Sequence, residues 1–143
     1  MWKLKLFCTI ALTLHSIIAF AGTPVTLYKS PTCSCCEEYV RYLRQNGFEV
    51  KAIDERDMNG IKKRYGLVRA TSCHTALIGG YVIEGHVPVA AIHKLLKQNP
   101  AITGISVPGM PRNSPGMGKM QKGTLTVYRI PKANESLQVF SVE

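Results

Sequence analysis

Three cysteines crowded into four positions, Cys33, Cys35 and Cys36, define the chemistry to be explained, and Cys73 adds a fourth thiol downstream. Thiolates this close repel one another unless they are protonated, oxidised or bridged by cations, which directs attention to redox chemistry or to a soft metal. Cys33 and Cys36 have the C-x-x-C spacing of a redox dithiol. Cys35 departs from that pattern. On a helix its side chain would point about 100° away from that of Cys36, so it cannot duplicate the dithiol, and a metal-bridged thiolate cluster uses all three sulfurs most directly. A framework of structural disulfides fits poorly. Of the three pairings that four cysteines allow, one joins the adjacent Cys35 and Cys36, and thiols packed so tightly along the chain are badly placed to staple distant loops.

A fifth cysteine, Cys8, falls in a segment that reads as a signal peptide. Lys3 and Lys5 begin it, an apolar run from Leu6 to Phe20 is broken only by Thr9, Thr13, His15 and Ser16, and Ala19-Phe20-Ala21 gives a small-x-small cleavage pattern before Gly22. The run is shorter and more polar than the roughly 20 apolar residues that a membrane span needs. Cleavage is therefore expected to release residues 22–143 into the periplasm, with no stable membrane insertion afterwards, and that oxidising compartment permits disulfides. Without the leader, 16 basic residues face 9 acidic ones. They are scattered, with Lys62-Lys63-Arg64 as the longest run, whereas nucleic-acid binding needs a clustered patch. A nucleic-acid partner is not expected.

The elements that must position the thiols follow from hydrophobic period and punctuation. Val25 to Tyr28 alternates as a strand; Ser30-Pro31-Thr32 reads as a turn into a helix whose inward face carries Cys36, Val40 and Leu43. Asn46-Gly47 stops that helix. Phe48–Ile53 alternates again, Asp57–Tyr65 makes a short second helix closed by Gly66, and Thr75–Ile78 with Tyr81–Ile83 form a hairpin across Gly79-Gly80. Pro88 opens a third helix that runs to about Asn99 before Pro100. The result is a single α/β domain with the β-α-β-α-β-β-α order of a thioredoxin-like fold. In that order Cys33 and Cys36 stand at the first turn of a helix, where backbone N–H groups favour thiolate.

Beyond the core, residues 104–123 form a Gly/Pro/Met-rich loop ahead of a final strand expected at Thr124–Ile130. A loop of this length in a small domain is usually functional or disordered. Met110 and Met117 each close a Pro-Gly-Met triplet, and a thioether flanked by such residues has few neighbours to pack with. Its sulfur suits Cu(I).

In the thioredoxin order the loop before the third strand packs against the dithiol, and thioredoxins place a cis-proline followed by threonine there. Here Thr75 keeps its place, His74 replaces the proline, and Cys73 precedes it. A shielding group is thus exchanged for a fourth thiol facing the other three. His86, just before Pro88 near the hairpin end, is a candidate accessory ligand; His93, beside Lys94 and Lys97, reads as surface.

Thr32-Cys33-Ser34-Cys35-Cys36, Ser72-Cys73-His74-Thr75-Ala76, Glu84-Gly85-His86-Val87-Pro88 and the Pro-Gly-Met segment together resemble the CopG-like family of exported, thioredoxin-like proteins of bacterial copper resistance. The resemblance spans nearly the whole mature chain. It implies copper held in a cysteine-bridged cluster, stored there or cycled between oxidation states. Carried onto this chain, the thiolate ligands are Cys33, Cys35, Cys36 and Cys73, with His86 and Met117 as accessory ligands and His74 and Met110 as weaker ones. Copper ions are the implied cofactor and partner, along with a periplasmic copper or electron-transfer protein, and a copper-linked oxidoreductase activity is open. Two other classes remain: a thiol–disulfide oxidoreductase using Cys33 and Cys36, and a structural zinc site.

Overall fold

The computed structural model describes residues 22–143, so the leader, its cleavage site and Cys8 lie outside the described residues. Strands β1 (Thr23–Lys29), β2 (Phe48–Asp54), β3 (His74–Ile78), β4 (Tyr81–Glu84), β5 (Gly104–Ser106), β6 (Thr126–Arg129) and β7 (Val139–Val142) form a seven-stranded sheet in the order β2-β1-β3-β4-β5-β6-β7. Three helices, α1 (Ser34–Gln45), α2 (Met58–Arg64) and α3 (Val89–Gln98), complete the α/β domain. From β1 to α3 the elements run β-α-β-α-β-β-α, as the sequence predicts. β1 pairs parallel with β2 and antiparallel with β3, and β3 pairs antiparallel with β4.

Alternation divides the sheet between two cores. Val25, Leu27, Ala76, Ile78 and Ile83 share one face with Tyr39, Val40 and Leu43 of α1 and Ala91, Ile92 and Leu95 of α3, all essentially buried. On the other face, Leu77 and Val82 pack with Leu67, Tyr65 and Ile130. Each fully buried Leu or Ile contributes about 1.5–3 kcal/mol, so the first face holds α1 firmly over the ends of β1 and β3. Helix punctuation agrees with the sequence. Asn46 and Gly47 close α1, the Asp57 side chain caps α2 through the Gly60 N–H at 2.9 Å, and left-handed Asn99 ends α3.

Two differences concern the C-terminal part. The segment from 104 to 123 begins as a strand: β5 adds to the edge of β4 in parallel, and its three residues are too few for any periodicity to show. The strand expected at Thr124–Ile130 is shorter, Thr126–Arg129, and is followed by another, β7. β7 is an edge strand in which Val139 and Val142 are exposed and only Ser141 is buried. Its residues therefore lack the alternation that marks a half-buried strand. Among the described residues no helix is long and apolar enough to cross a membrane.

Candidate metal centre

β1 delivers the chain to the site. After Lys29 a tight turn, closed by the Cys33 N–H donating to the Ser30 carbonyl at 3.2 Å, starts α1 with Cys33 as its N-cap residue. Cys36 then points into the core, fully buried, while Cys33 and Cys35 are half-buried. Cys33 and Cys36 are joined as a disulfide and Cys35 and Cys73 are free. The Cys35 sulfur lies 3.5 Å from that of Cys33 and 4.0 Å from that of Cys73. All four sulfurs lie within 4.8 Å of one another. The fourth thiol thus faces the other three, as the order of elements predicts.

Cys73 is also the centre of a second contact set. His86 Nε2 stands 3.1 Å from its sulfur and His74 Nδ1 3.3 Å. The other nitrogen of His86 lies 2.7 Å from the Pro115 carbonyl. A carbonyl only accepts, so Nδ1 carries the hydrogen and Nε2 turns its lone pair toward Cys73, the orientation a metal-ligating histidine takes when an outer partner fixes its tautomer. Tyr39, three residues after Cys36 on α1, is wedged against both rings, 4.5 Å from the His74 centroid and 5.4 Å from that of His86. Its hydroxyl donates to the Val87 carbonyl at 2.7 Å. Tyr39 has a structuring role that the thiol pattern did not reveal; its i+3 spacing from Cys36 was the available signal.

Burial governs the ionisation of this pocket. It pushes the Cys73 thiol up to about 11, with the neighbouring Cys35 thiol adding to the rise. Burial lowers His74 well below the usual histidine range, His86 adding to that effect. It lowers His86 too, against the opposing pull of the Pro115 carbonyl. Both imidazoles are neutral near pH 7, the form that binds metal.

The loop that carries Cys73 is fastened from beneath. Glu84, fully buried, accepts from the Ser72 N–H and the Thr75 hydroxyl, both at 2.6 Å, and from Lys62 at 2.5 Å. The late loop closes the other side. The Gly109 N–H donates to the Thr71 carbonyl at 3.0 Å, and Gly116 lies so close to α1 that a Cβ there would sit 2.9 Å from the Tyr39 nitrogen and 3.2 Å from the Cys35 oxygen. Met117, one residue on, is half-buried at this approach, whereas the Met110 side chain is 55% exposed. His93 is on the surface, edge-on to Phe48. A concavity of about 690 Å³, lined by Arg44, Phe48 and Val50, is at the opposite end of β1 and touches none of the thiols.

Two solved structures share this architecture. Both are titled copper resistance protein CopG, forms 1 and 2. Each is 34% identical to this chain over 85% of its length and 98% of theirs, with TM-scores of 0.74 and 0.73. The chain belongs to the CopG-like copper-resistance family. Residues 70–117, which run from the Cys73 loop to Met117, also match the protein family of unknown function DUF411. No curated protein matches the chain.

Proposed function

We propose that the protein is a periplasmic copper-binding protein that holds copper in a cysteine-bridged thiolate cluster and serves copper resistance by storing the ion or cycling it between Cu(I) and Cu(II). Cys33, Cys35, Cys36 and Cys73 are the bridging ligands, with His86 and Met117 as accessory donors. The convergence of four sulfurs from two distant segments carries this reading, because a soft donor set of that kind selects Cu(I). The likeness to two structures of a copper resistance protein supports it.

Copper here is cargo. The Cys33–Cys36 disulfide must be reduced before all four sulfurs can bind, and its closure releases two electrons and two protons, enough to convert two Cu(II) to Cu(I). A periplasmic copper or electron-transfer protein would exchange those ions or electrons. The test is metal analysis after anaerobic Cu(I) loading of the reduced protein. Cys35→Ser should hold less copper per chain while the Cys33–Cys36 disulfide still forms. Wild-type loading in that variant would remove Cys35 from the cluster.

One observation favours a second reading, a thiol–disulfide oxidoreductase: Cys33 and Cys36 form a disulfide with one half-exposed and one buried sulfur. Insulin reduction in the presence of dithiothreitol distinguishes the two. It should be weak, since Cys73 and His74 occupy the loop that faces the dithiol; rapid turnover would favour the oxidoreductase.

A further inference from the structure

The four-thiol group loses half of its donors when Cys33 and Cys36 are joined, but a second donor group loses none. Cys73 Sγ, one nitrogen of His74 and one of His86 lie within 4.8 Å of one another, and none of them takes part in the disulfide. We propose that Cys73, His74 and His86 form a second metal position that takes a divalent cation of the zinc class while Cys33 and Cys36 are joined as a disulfide. The inference rests on the reading of the thiol pocket as a metal centre and names a further ion for it.

The donor geometry fits such an ion. Zinc–sulfur bonds of about 2.3 Å and zinc–nitrogen bonds of about 2.0–2.1 Å place neighbouring donors of a tetrahedron roughly 3.3–3.6 Å apart. The Cys73 sulfur stands 3.1 Å from His86 Nε2 and 3.3 Å from His74 Nδ1, a few tenths of an ångström short of a tetrahedral sulfur–nitrogen edge, and the two imidazoles each bring a nitrogen within 4.8 Å of the other. His86 is already oriented by the Pro115 carbonyl. His74 is fully buried, and its Nε2 has no hydrogen-bond partner. A hydrogen carried on that Nε2 leaves Nδ1, which already faces Cys73, with its lone pair toward the sulfur and the cation position. One thiolate with two neutral imidazoles is a borderline donor set, suited to zinc-like divalent ions, where four thiolates suit Cu(I). Three protein ligands leave the fourth tetrahedral position open.

Binding replaces the hydrogen on Cys73 by the metal: the S–H proton passes to solvent as the metal–sulfur bond forms, and the imidazoles enter neutral, so no electron changes hands. Because His86 belongs to both groups, and its single free ring nitrogen serves one metal at a time, the two positions exclude each other. The disulfide then decides which class of ion the pocket accepts.

Cobalt(II) chloride is the probe, since tetrahedral Co(II) bound to a thiolate shows a sulfur-to-cobalt charge-transfer band. The mature protein, its Cys33–Cys36 disulfide verified by peptide mass mapping, should take up about one Co(II) with that band, as a single three-donor position requires. His74→Gln and His86→Gln should each weaken uptake at least tenfold or so, the scale at which even outer partners of ligands matter, and Cys73→Ser should abolish the band. Should buried His74→Gln lose its native circular dichroism, His86→Gln and Cys73→Ser decide the matter. No band in the disulfide form, or a band unchanged in His86→Gln, overturns the inference. Anaerobic Cu(I) titration of the reduced wild type separately tests the underlying reading: normal copper loading beside a failed Co(II) titration leaves the copper centre standing, and absent copper loading removes it.

Discussion

At the scale of single residues, Cys73 is the pivot of the pocket, because the Cys35 thiol and two imidazoles meet at its sulfur. Burial, reinforced by Cys35, keeps that thiol protonated up to about pH 11, so any metal that binds it must displace a proton. Below that pH the Cys73 contribution to apparent affinity should rise about tenfold for each unit of increasing pH, one proton leaving with each binding event. Calorimetric titrations in buffers of different ionisation enthalpy count that proton directly, and a proton count that is the same in Cys73→Ser would contradict the assignment. The sequence showed the sulfurs and placed Cys73 opposite the others, because thiol spacing and strand order are written in residue types. It did not show what orients His86, because the partner is the main-chain carbonyl of Pro115, and every residue carries a carbonyl. Glu84 stood in plain view beside Gly85 and His86, yet its grip on the Ser72 N–H depends on a turn geometry that no side-chain pattern encodes.

At the scale of elements, the first four strands and three helices were legible because most carry an apolar alternation or helical face, and Gly, Asn or Pro marks most of their boundaries. The missed strands, β5 and β7, are short or lie at the sheet edge, and they are held by pairing with neighbours rather than by any stripe of their own. The loop across 107–118 belongs with these: its form is dictated by what it touches. Gly116 adopts a φ of +78° against the backbone of α1, and there a Cβ meets both strain and a close contact. Gly116→Ala should push the Pro115 carbonyl away from His86 Nδ1. Copper or Co(II) affinity is expected to fall about 10–100-fold, the range seen when a ligand loses its outer partner, while α1 and the sheet stay folded. Metal titration alongside thermal unfolding checks this, and an affinity equal to wild type would show that the loop does not set the His86 orientation.

At the scale of the whole molecule, a buried cation ties the site to the sheet. Lys29, near the end of β1 and paired in register with His74, is 2% exposed and bonds to Glu37 of α1 at 2.6 Å and Asp54 of β2 at 2.5 Å. The hydrogen bonds to Asp54 and then Glu37 raise the Lys29 pKa above 10.5. A raised pKa in the folded state means that this contribution to stability is complete below pH 10.5 and is lost as pH climbs through the folded value. Cys73 titrates with the same sign, since the folded state holds its proton more tightly than an unfolded chain. Urea midpoints should therefore decline from about pH 9 upward, and Lys29→Met should flatten the upper part of that decline. A midpoint that is level to pH 11.5 would show that neither group is linked to folding.

The pocket assembled by Cys33, Cys73, His86 and Pro115 draws its parts from across some two-thirds of the described chain. A polypeptide made or delivered N-terminus first cannot close it until the segment around Pro115 has emerged, and domains generally fold as units. Partly synthesised chains therefore hold C-x-C-C as an open, unshielded stretch of thiols, free to pick up stray ions or to cross-link with neighbours. On the proposed reading, only the finished chain would discriminate among ions, and metal selection would be a property acquired last, at the moment the late loop settles onto α1.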